Sequence, residues 1–376
     1  MGLLSKRMPR LWALVAAGLL ARLLLAAVSL GSNDILSWYR FGEFITAHGV
    51  GAAYETLSTR RLLFNYPPLT GYLAQGVYIL AGGQLRAFAI LFKLPGILAE
   101  AAAAYLLYRH VLARLGPREA LACAAAFSLS LVSVLVSGYH GNTDTLYCFL
   151  ALAAVLFWEE DRPFLSGLSL AAAINIKLIP LFLVPVFLSQ ARSRSSLSRF
   201  AAGLSCAAIP FLFFLPAHGA ALWRNVFAYK GYPDHWGVSL FLKSPLYFSS
   251  ARYLILLLIT ALSVLARLRS RGTTPQLAAA SCVIFLVFTP AFGVQYTLVP
   301  LPLLFLVDWR WASGYALLSG IFLSSVYAHW WTGGYPLLSW FTTTLPAPQA
   351  ALGVVVWLYL IGLLARGLFA AGVKAR

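Results

Sequence analysis

The chain has 376 residues, 61% of them apolar, with a mean hydropathy of +0.80 and 28 Lys and Arg against 11 Asp and Glu, a net charge of +17. Apolar usage so far above the roughly 45–50% of soluble domains, in recurring runs of about 20 residues, excludes a soluble fold and predicts an all-α, polytopic membrane bundle. The basic residues fall in short breaks between apolar runs, the positive-inside pattern, so the charge reports topology and calls for no nucleic-acid partner.

The first run, Leu11 to Leu30, follows Lys6, Arg7 and Arg10 and has small residues near Ser29, as a signal peptide would. Its length and the many runs after it favour an uncleaved first span. Asp34 stands just beyond it and opens a polar, aromatic-rich segment that closes at Asn65-Tyr66-Pro67-Pro68. In a chain this poor in acid, a carboxylate at the mouth of a span needs a reason. Ser37, Arg40 and Glu43 recur at three-residue spacing along an aromatic body, which predicts a helix lying on the membrane surface. The plain alternative is an aromatic belt in which Asp34 is a solvated N-cap or the partner of Arg40. Leu69 to Leu80, after the proline break, reads as an external or interfacial helix, because counting it as a span would carry the loop Arg109 to Arg118 outside.

The next spans are 87–108, 119–137 and 144–158. The connection Ser137-Gly138-Tyr139-His140-Gly141-Asn142-Thr143-Asp144 lies at the membrane level of Asp34, so two carboxylates and a histidine converge on one face. The alternative is an Asx turn with Asp144 capping the following helix. From Phe164 to Leu188 the run must cross an even number of times to keep the flanking basic breaks on one side, which predicts a hairpin of two short spans, 163–177 and 178–190. That choice puts Arg192, Arg194, Arg199, Arg267, Arg269, Arg271, Arg310, Arg366, Lys374 and Arg376 inside, and Arg224, Lys230, Lys243 and Arg252 outside. A single crossing would reverse the ratio. Asn175 and Lys177 fall at the hairpin tip, where an embedded amine costs roughly 2.5–3.5 kcal/mol unless it meets water or an anion; snorkelling to the interface is the alternative.

Spans at 200–216, 251–266, 277–291, 295–308, 311–328 and 349–366 complete a set of about twelve in one membrane domain over 1–376, with both termini cytoplasmic. The long loops 31–86, 217–250 and 329–348 are then all external, and loops of that length usually carry function. The second supplies Arg224, Lys230, Tyr232, Asp234, His235 and Trp236; Phe292-Gly293-Val294-Gln295-Tyr296 joins two spans; His329, Trp330 and Trp331 begin the third. Cations pair with phosphate and aromatic faces stack on sugars, although an interfacial girdle explains the tryptophans equally well. Cys123, Cys148, Cys206 and Cys282 each lie in an apolar run without metal-ligand spacing and read as core thiols. There is no P-loop, HExxH, GxSxG or DxD, so nucleotide hydrolysis, zinc proteolysis and serine hydrolysis have no support. The inner loops are too short to form a domain for a nucleotide-sugar donor.

Asn33-Asp34, Asn65-Tyr66-Pro67-Pro68, Lys93-Leu94-Pro95, Gly141-Asn142-Thr143-Asp144 and Ile176-Lys177-Leu178-Ile179-Pro180, in their order and spacing, resemble the GT-C superfamily of integral-membrane glycosyltransferases, which take sugars from polyprenyl-phosphate carriers. The first two also look like the dolichyl-phosphate-glucose-dependent glucosyltransferases and the bacterial polyprenyl-phosphate-mannose-dependent mannosyltransferases. The resemblance implies a first-loop aspartate as catalytic base, at the position of Asp34. It implies a hexose, mannose ahead of glucose, passed to a glycan, glycolipid or polyprenyl-linked acceptor at the outer face of a bacterial inner membrane, or at the endoplasmic reticulum in a eukaryote. Gln295 departs from the histidine that the related glucosyltransferases tend to carry near the donor phosphate, which leaves the phosphate ligands open.

The residues suggest the same chemistry. Lys177, with Arg40 or Arg224 and beside Gln295 and Tyr296, would neutralise charge on the leaving phosphate, and Asp34 would take the acceptor proton. Tyr66, His140, Asn142, Asp144 and His235 would form the supporting polar cluster. One carboxylate placed as base and none as nucleophile indicates single displacement with inversion. A divalent ion bridging Asp34 and Asp144 to phosphate is the competing arrangement, but two acids in separate loops make a poor magnesium site without the donor, so no cofactor is expected. The rival class is a transporter or flippase of a lipid-linked sugar. Such folds show repeat symmetry, whereas this chain has one broken hairpin and no counterpart in its second half.

Overall fold

The computed structural model describes residues 8–59, 62–231, 236–342 and 344–366. Among them, five helices are long and apolar enough to cross a membrane: Pro9–Val28, Leu85–Leu115, Arg194–Phe227, Pro245–Leu268 and Ala347–Ala365. A sixth span results if Pro117–Ser128 and Leu131–His140, bent by 45°, count as one. Shorter apolar helices, Pro163–Ile176, Ile179–Ser189, Thr274–Phe288 and Val294–Val307, fill the bundle between them. The expected all-α polytopic architecture is therefore present; by length and composition five or six helices qualify as spans among the described residues, and several of the other expected spans coincide with shorter apolar helices.

The first helix, α1 (Met8–Val28), gives way to a short strand, β1 (Ser29–Ser32), and then to α2 (Asn33–Thr56), which is broken at Gly49. The expected helix is present, and α2 packs one face inward. Ile35, Trp38, Phe41 and Ile45 recur at helical spacing, and all four are buried. They meet α3 (Pro68–Leu80), whose proline start matches the expected break. Trp38 lies 4.3 Å from the ring of Tyr66 and 5.0 Å from Phe92, on the long helix α4 (Leu85–Leu115), and burial of each such side chain contributes about 1.5–3 kcal/mol. The bundle continues through α5 (Pro117–Ser128) and α6 (Leu131–Val134), a π-turn (Leu135–His140), and α7 (Asp144–Glu159).

Where the hairpin was expected, the chain folds back. α8 (Pro163–Ile176) stops at Lys177, and a 3-10 turn (Ile179–Leu183) leads into α9 (Val184–Ser189). Phe187 on the returning arm comes back to Trp158 (5.4 Å between rings) and to Phe200 (5.0 Å) on α10 (Arg194–Ser205), beside the start of α8. The run thus turns back on itself at Lys177. α8 and α10 touch through glycines: a Cβ on Gly167 would stand 2.2 Å from the Phe200 carbonyl oxygen. The tip of the fold-back is tied to α3 by Thr70, whose hydroxyl donates to the carbonyl of Ile176 at 2.8 Å.

The rest of the bundle runs through α11 (Ile209–Leu222), α12 (Pro245–Leu268), α13 (Thr274–Phe288), α14 (Leu301–Val307), α15 (Trp309–His329) and α16 (Ala347–Ala365). In the loop 329–348, β2 (Leu337–Ser339) pairs in parallel with β1, Ser32 opposite Ser339. Gly31, at φ +108°, is needed there, because a Cβ would stand 2.0 Å from the Tyr139 carbonyl oxygen. This pairing brings the third loop onto the start of α2.

Candidate active site

Asp34 sits in the first turn of α2, and the cap of that helix is Ser32, whose hydroxyl accepts from the Asp34 N–H at 3.3 Å. Asp34 is thus neither the solvated cap nor the partner of Arg40. Its Oδ2 accepts from Asn142 Nδ2 at 2.7 Å and lies 3.2 Å from His140 Nε2. The other imidazole nitrogen, Nδ1, is 3.0 Å from the hydroxyl of Tyr327 on α15. A neutral imidazole that donates to Asp34 from Nε2 accepts from Tyr327 at Nδ1, so one tautomer satisfies both contacts. Asn142 is fixed in turn by the Thr143 N–H, which donates to its Oδ1 at 2.7 Å. His140 is fully buried and Asp34 35% exposed, so a rigid support presents an accessible carboxylate. Burial pushes the Asp34 carboxyl up, but hydrogen bonds from His140 and Asn142 and the charge of Lys177 outweigh it and hold it below the usual aspartate value.

The second half of the site is built on the hairpin tip. Lys177 Nζ donates to both oxygens of Asp144, at 3.1 and 3.3 Å, and Tyr147 OH donates to Asp144 Oδ1 at 2.8 Å. Snorkelling is therefore replaced by a buried ion pair, with Asp144 fully enclosed and Lys177 11% exposed. Asp144 caps nothing; Thr143 is the N-cap of α7. Three tyrosines ring the amine, with Nζ 4.5 Å from the Tyr296 centroid, 5.7 Å from Tyr147 and 6.0 Å from Tyr66. The ammonium is engaged by Asp144 and hydrogen-bonds Tyr296, and its remaining 11% exposure is the side open to an anion. Burial pushes the Tyr66 phenol well above its usual value, so it stays a hydrogen-bond donor beside both carboxylates.

The remaining sequence candidates separate. Tyr66, His140, Asn142, Asp144, Lys177 and Tyr296 converge with Asp34. Gln295 is buried, but it folds against Gly293 and is bonded to none of these groups. Arg40 and Arg224 are exposed and make no bond to the cluster, which corrects the expectation that they join Lys177. On α2 the buried positions 35, 38, 41 and 45 leave Arg40 on the opposite side. Beside Arg224 it is Asn225 that turns inward, donating to the Tyr54 carbonyl at 2.7 Å. His235 lies outside the described residues. Among the described residues no three His, Cys, Asp or Glu side chains group as metal ligands.

The model of glycosyltransferase family 87 matches residues 64–292, more than half of the chain. The chain belongs to glycosyltransferase family 87. Family 87 is a GT-C-type membrane family, so the resemblance read from the motifs is shown. The segment matched to family 87 contains Tyr66, His140, Asn142, Asp144 and Lys177, whereas Asp34, Tyr296 and Tyr327 lie outside it and are tied to it by the contacts above. Two members of the cluster were missed in the sequence. Tyr147 stands three residues after Asp144 on one helix, a spacing that would have revealed it. Tyr327 reaches His140 across 187 positions, and nothing local marks it.

Proposed function

We propose that this glycosyltransferase moves a hexose from a polyprenyl-phosphate carrier to an acceptor hydroxyl at the outer face of its membrane, by inverting single displacement without a required metal. The observation that carries the reading is the placement of an accessible, hydrogen-bonded carboxylate, Asp34, near a buried lysine ringed by three tyrosines. In the proposed step the bond between the anomeric carbon and the phosphate oxygen breaks, and polyprenyl phosphate leaves with an additional negative charge. The acceptor oxygen bonds to the anomeric carbon, and its proton passes to Asp34. Lys177 stabilises the charge that grows on the leaving phosphate, and Asp144 holds the lysine in place. A carboxylate held low is a weak base, suited to a late proton transfer, since the acceptor hydroxyl acidifies only as it bonds to an oxocarbenium-like centre. Asp144 is enclosed and already paired, which argues against a covalent intermediate on it.

Mannose ahead of glucose, and a glycan, glycolipid or polyprenyl-linked acceptor, rest on the motif resemblance alone, because a shared fold does not carry substrate identity. The membrane proposed is the bacterial inner membrane, or the endoplasmic reticulum in a eukaryote, with about twelve crossings and both termini cytoplasmic. In intact cells expressing cysteine-free variants, single cysteines at Ser58 and Gly231 should label from outside and one at Ser195 should not. Labelling at position 195 would invert the second half of the proposed topology.

The donor is tested with purified protein in lipid. Polyprenyl phosphate should be released in step with a new glycoside, and turnover should persist in excess EDTA. Turnover with a nucleotide sugar in lipid free of polyprenyl phosphate would contradict the donor assignment, and loss in EDTA restored by one divalent ion would contradict the metal-free step.

A further inference from the structure

Arg22, in the middle of α1, is only 2% exposed, and nothing in the proposed chemistry uses it. Charged residues inside membrane spans are costly and rarely idle. Its guanidinium spans several elements. Nη1 donates to the carbonyl of Gly18 at 2.8 Å and of Ser128 at 2.7 Å, Nε donates to Ser137 Oγ at 3.0 Å, and Nη2 donates to Ser133 Oγ. Ser128 ends α5 at the 45° bend, so one of these bonds satisfies a carbonyl freed by the break. Glu100 on α4 accepts from Ser133 Oγ and stands 3.9 Å from Arg22 Nη2, while its Oε1 has no partner among the described residues. A buried, incompletely satisfied ion pair adds little stability compared with apolar packing, so the arginine needs a different reason to be there.

That reason lies at Ser137. It belongs to the π-turn that ends three residues later at His140, and single π-turns inside α-helices occur mostly at functional sites. The far end of the turn is held by Ser32, whose hydroxyl donates to the His140 carbonyl at 2.8 Å and also caps α2 at Asp34. Between the two anchors, Gly138 passes so close to α1 that a Cβ would stand 3.0 Å from Arg22 Cα. We infer that Arg22 is a positioning residue for glycosyl transfer: through Ser137 it holds the π-turn in the register that sets His140 Nε2 against Asp34. The groups that face Asp34 are His140 and Asn142, Lys177 from the hairpin tip and Tyr66 from the first loop, with Tyr296 and Tyr327 farther off. Of these, His140 sits on the turn that Arg22 grips.

This inference rests on Asp34 being the base, and its test separates the two. Ser137→Ala removes the link to the turn, and Arg22→Lys keeps the charge but loses the guanidinium fork. In folded, donor-binding preparations both should lower kcat by about tenfold or more at unchanged donor KM, the size expected of a small misplacement. The acid limb of kcat/KM should move to higher pH as Asp34 loses its His140 contact. Ser137→Ala should add little further loss in a His140→Gln background, because both changes break one chain of contacts. Native kcat and an unmoved acid limb in folded Ser137→Ala, or losses that multiply in the double variant, would overturn the positioning role. An active Asp34→Asn enzyme would instead show that the base was misassigned.

Discussion

Asp34→Asn should bind donor as the native enzyme does and lose at least about 10² in turnover, since the amide keeps the size and much of the hydrogen bonding of the carboxylate but cannot accept the proton. Folding should survive, because Ser32 and not Asp34 caps α2. The pH dependence carries the same signature. A carboxyl held below its usual value stays ionised as the pH falls through about 3.9, so the acid limb of kcat/KM in the native enzyme should lie below that of an ordinary aspartate. Asn142→Ala removes a hydrogen bond to the charged form and should move that limb upward. A limb at or above the ordinary value in the native enzyme would show that burial outweighs the His140 and Asn142 hydrogen bonds. Asp144 is a poor substitute for that role, being enclosed and bonded to Lys177 and Tyr147.

Lys177→Met should weaken donor affinity as well as rate, with a combined loss on the order of 2–4 kcal/mol if the amine meets buried phosphate. It should also destabilise the protein, since it leaves the Asp144 charge buried without its partner, a situation that typically costs about 3–5 kcal/mol. The double variant Lys177→Met, Asp144→Asn removes both charges. It should regain thermal stability without regaining activity, which distinguishes a lysine that acts on the donor from one that only neutralises an aspartate. Recovery of turnover along with stability in the double variant would show that Lys177 is structural.

What was legible in the sequence followed from local physics. The helix with a buried face around Trp38 was marked by its aromatic spacing, the fold-back at Lys177 by the parity of the basic loops, Lys177 itself by the cost of an embedded amine, and Asp34, His140, Asn142 and Asp144 by their places between apolar runs and by the motif resemblance. The partners of these groups were not legible, because they depend on which connections meet. The alternatives of a helix cap at Asp34 and a snorkelling Lys177 stayed open until the 140–144 connection was placed against the first and the buried Asp144 beneath the second. Arg40 and Arg224 were drawn in by their charge, and their helical positions send them outward. Arg22 drew no notice inside an apolar run. Its role emerges only from hydrogen bonds that cross more than 100 positions to Ser128, Ser133 and Ser137.

The most direct test is a single-turnover measurement with donor labelled in the sugar, comparing native enzyme with Asp34→Asn in the same lipid. The native enzyme should move the label into a new glycoside while releasing polyprenyl phosphate, and the variant should hold labelled donor intact on the enzyme. Label that crosses the membrane still attached to its carrier, with no new glycosidic bond in either preparation, would contradict the proposed reaction. Near-native transfer by folded Asp34→Asn would contradict the role of Asp34 within it.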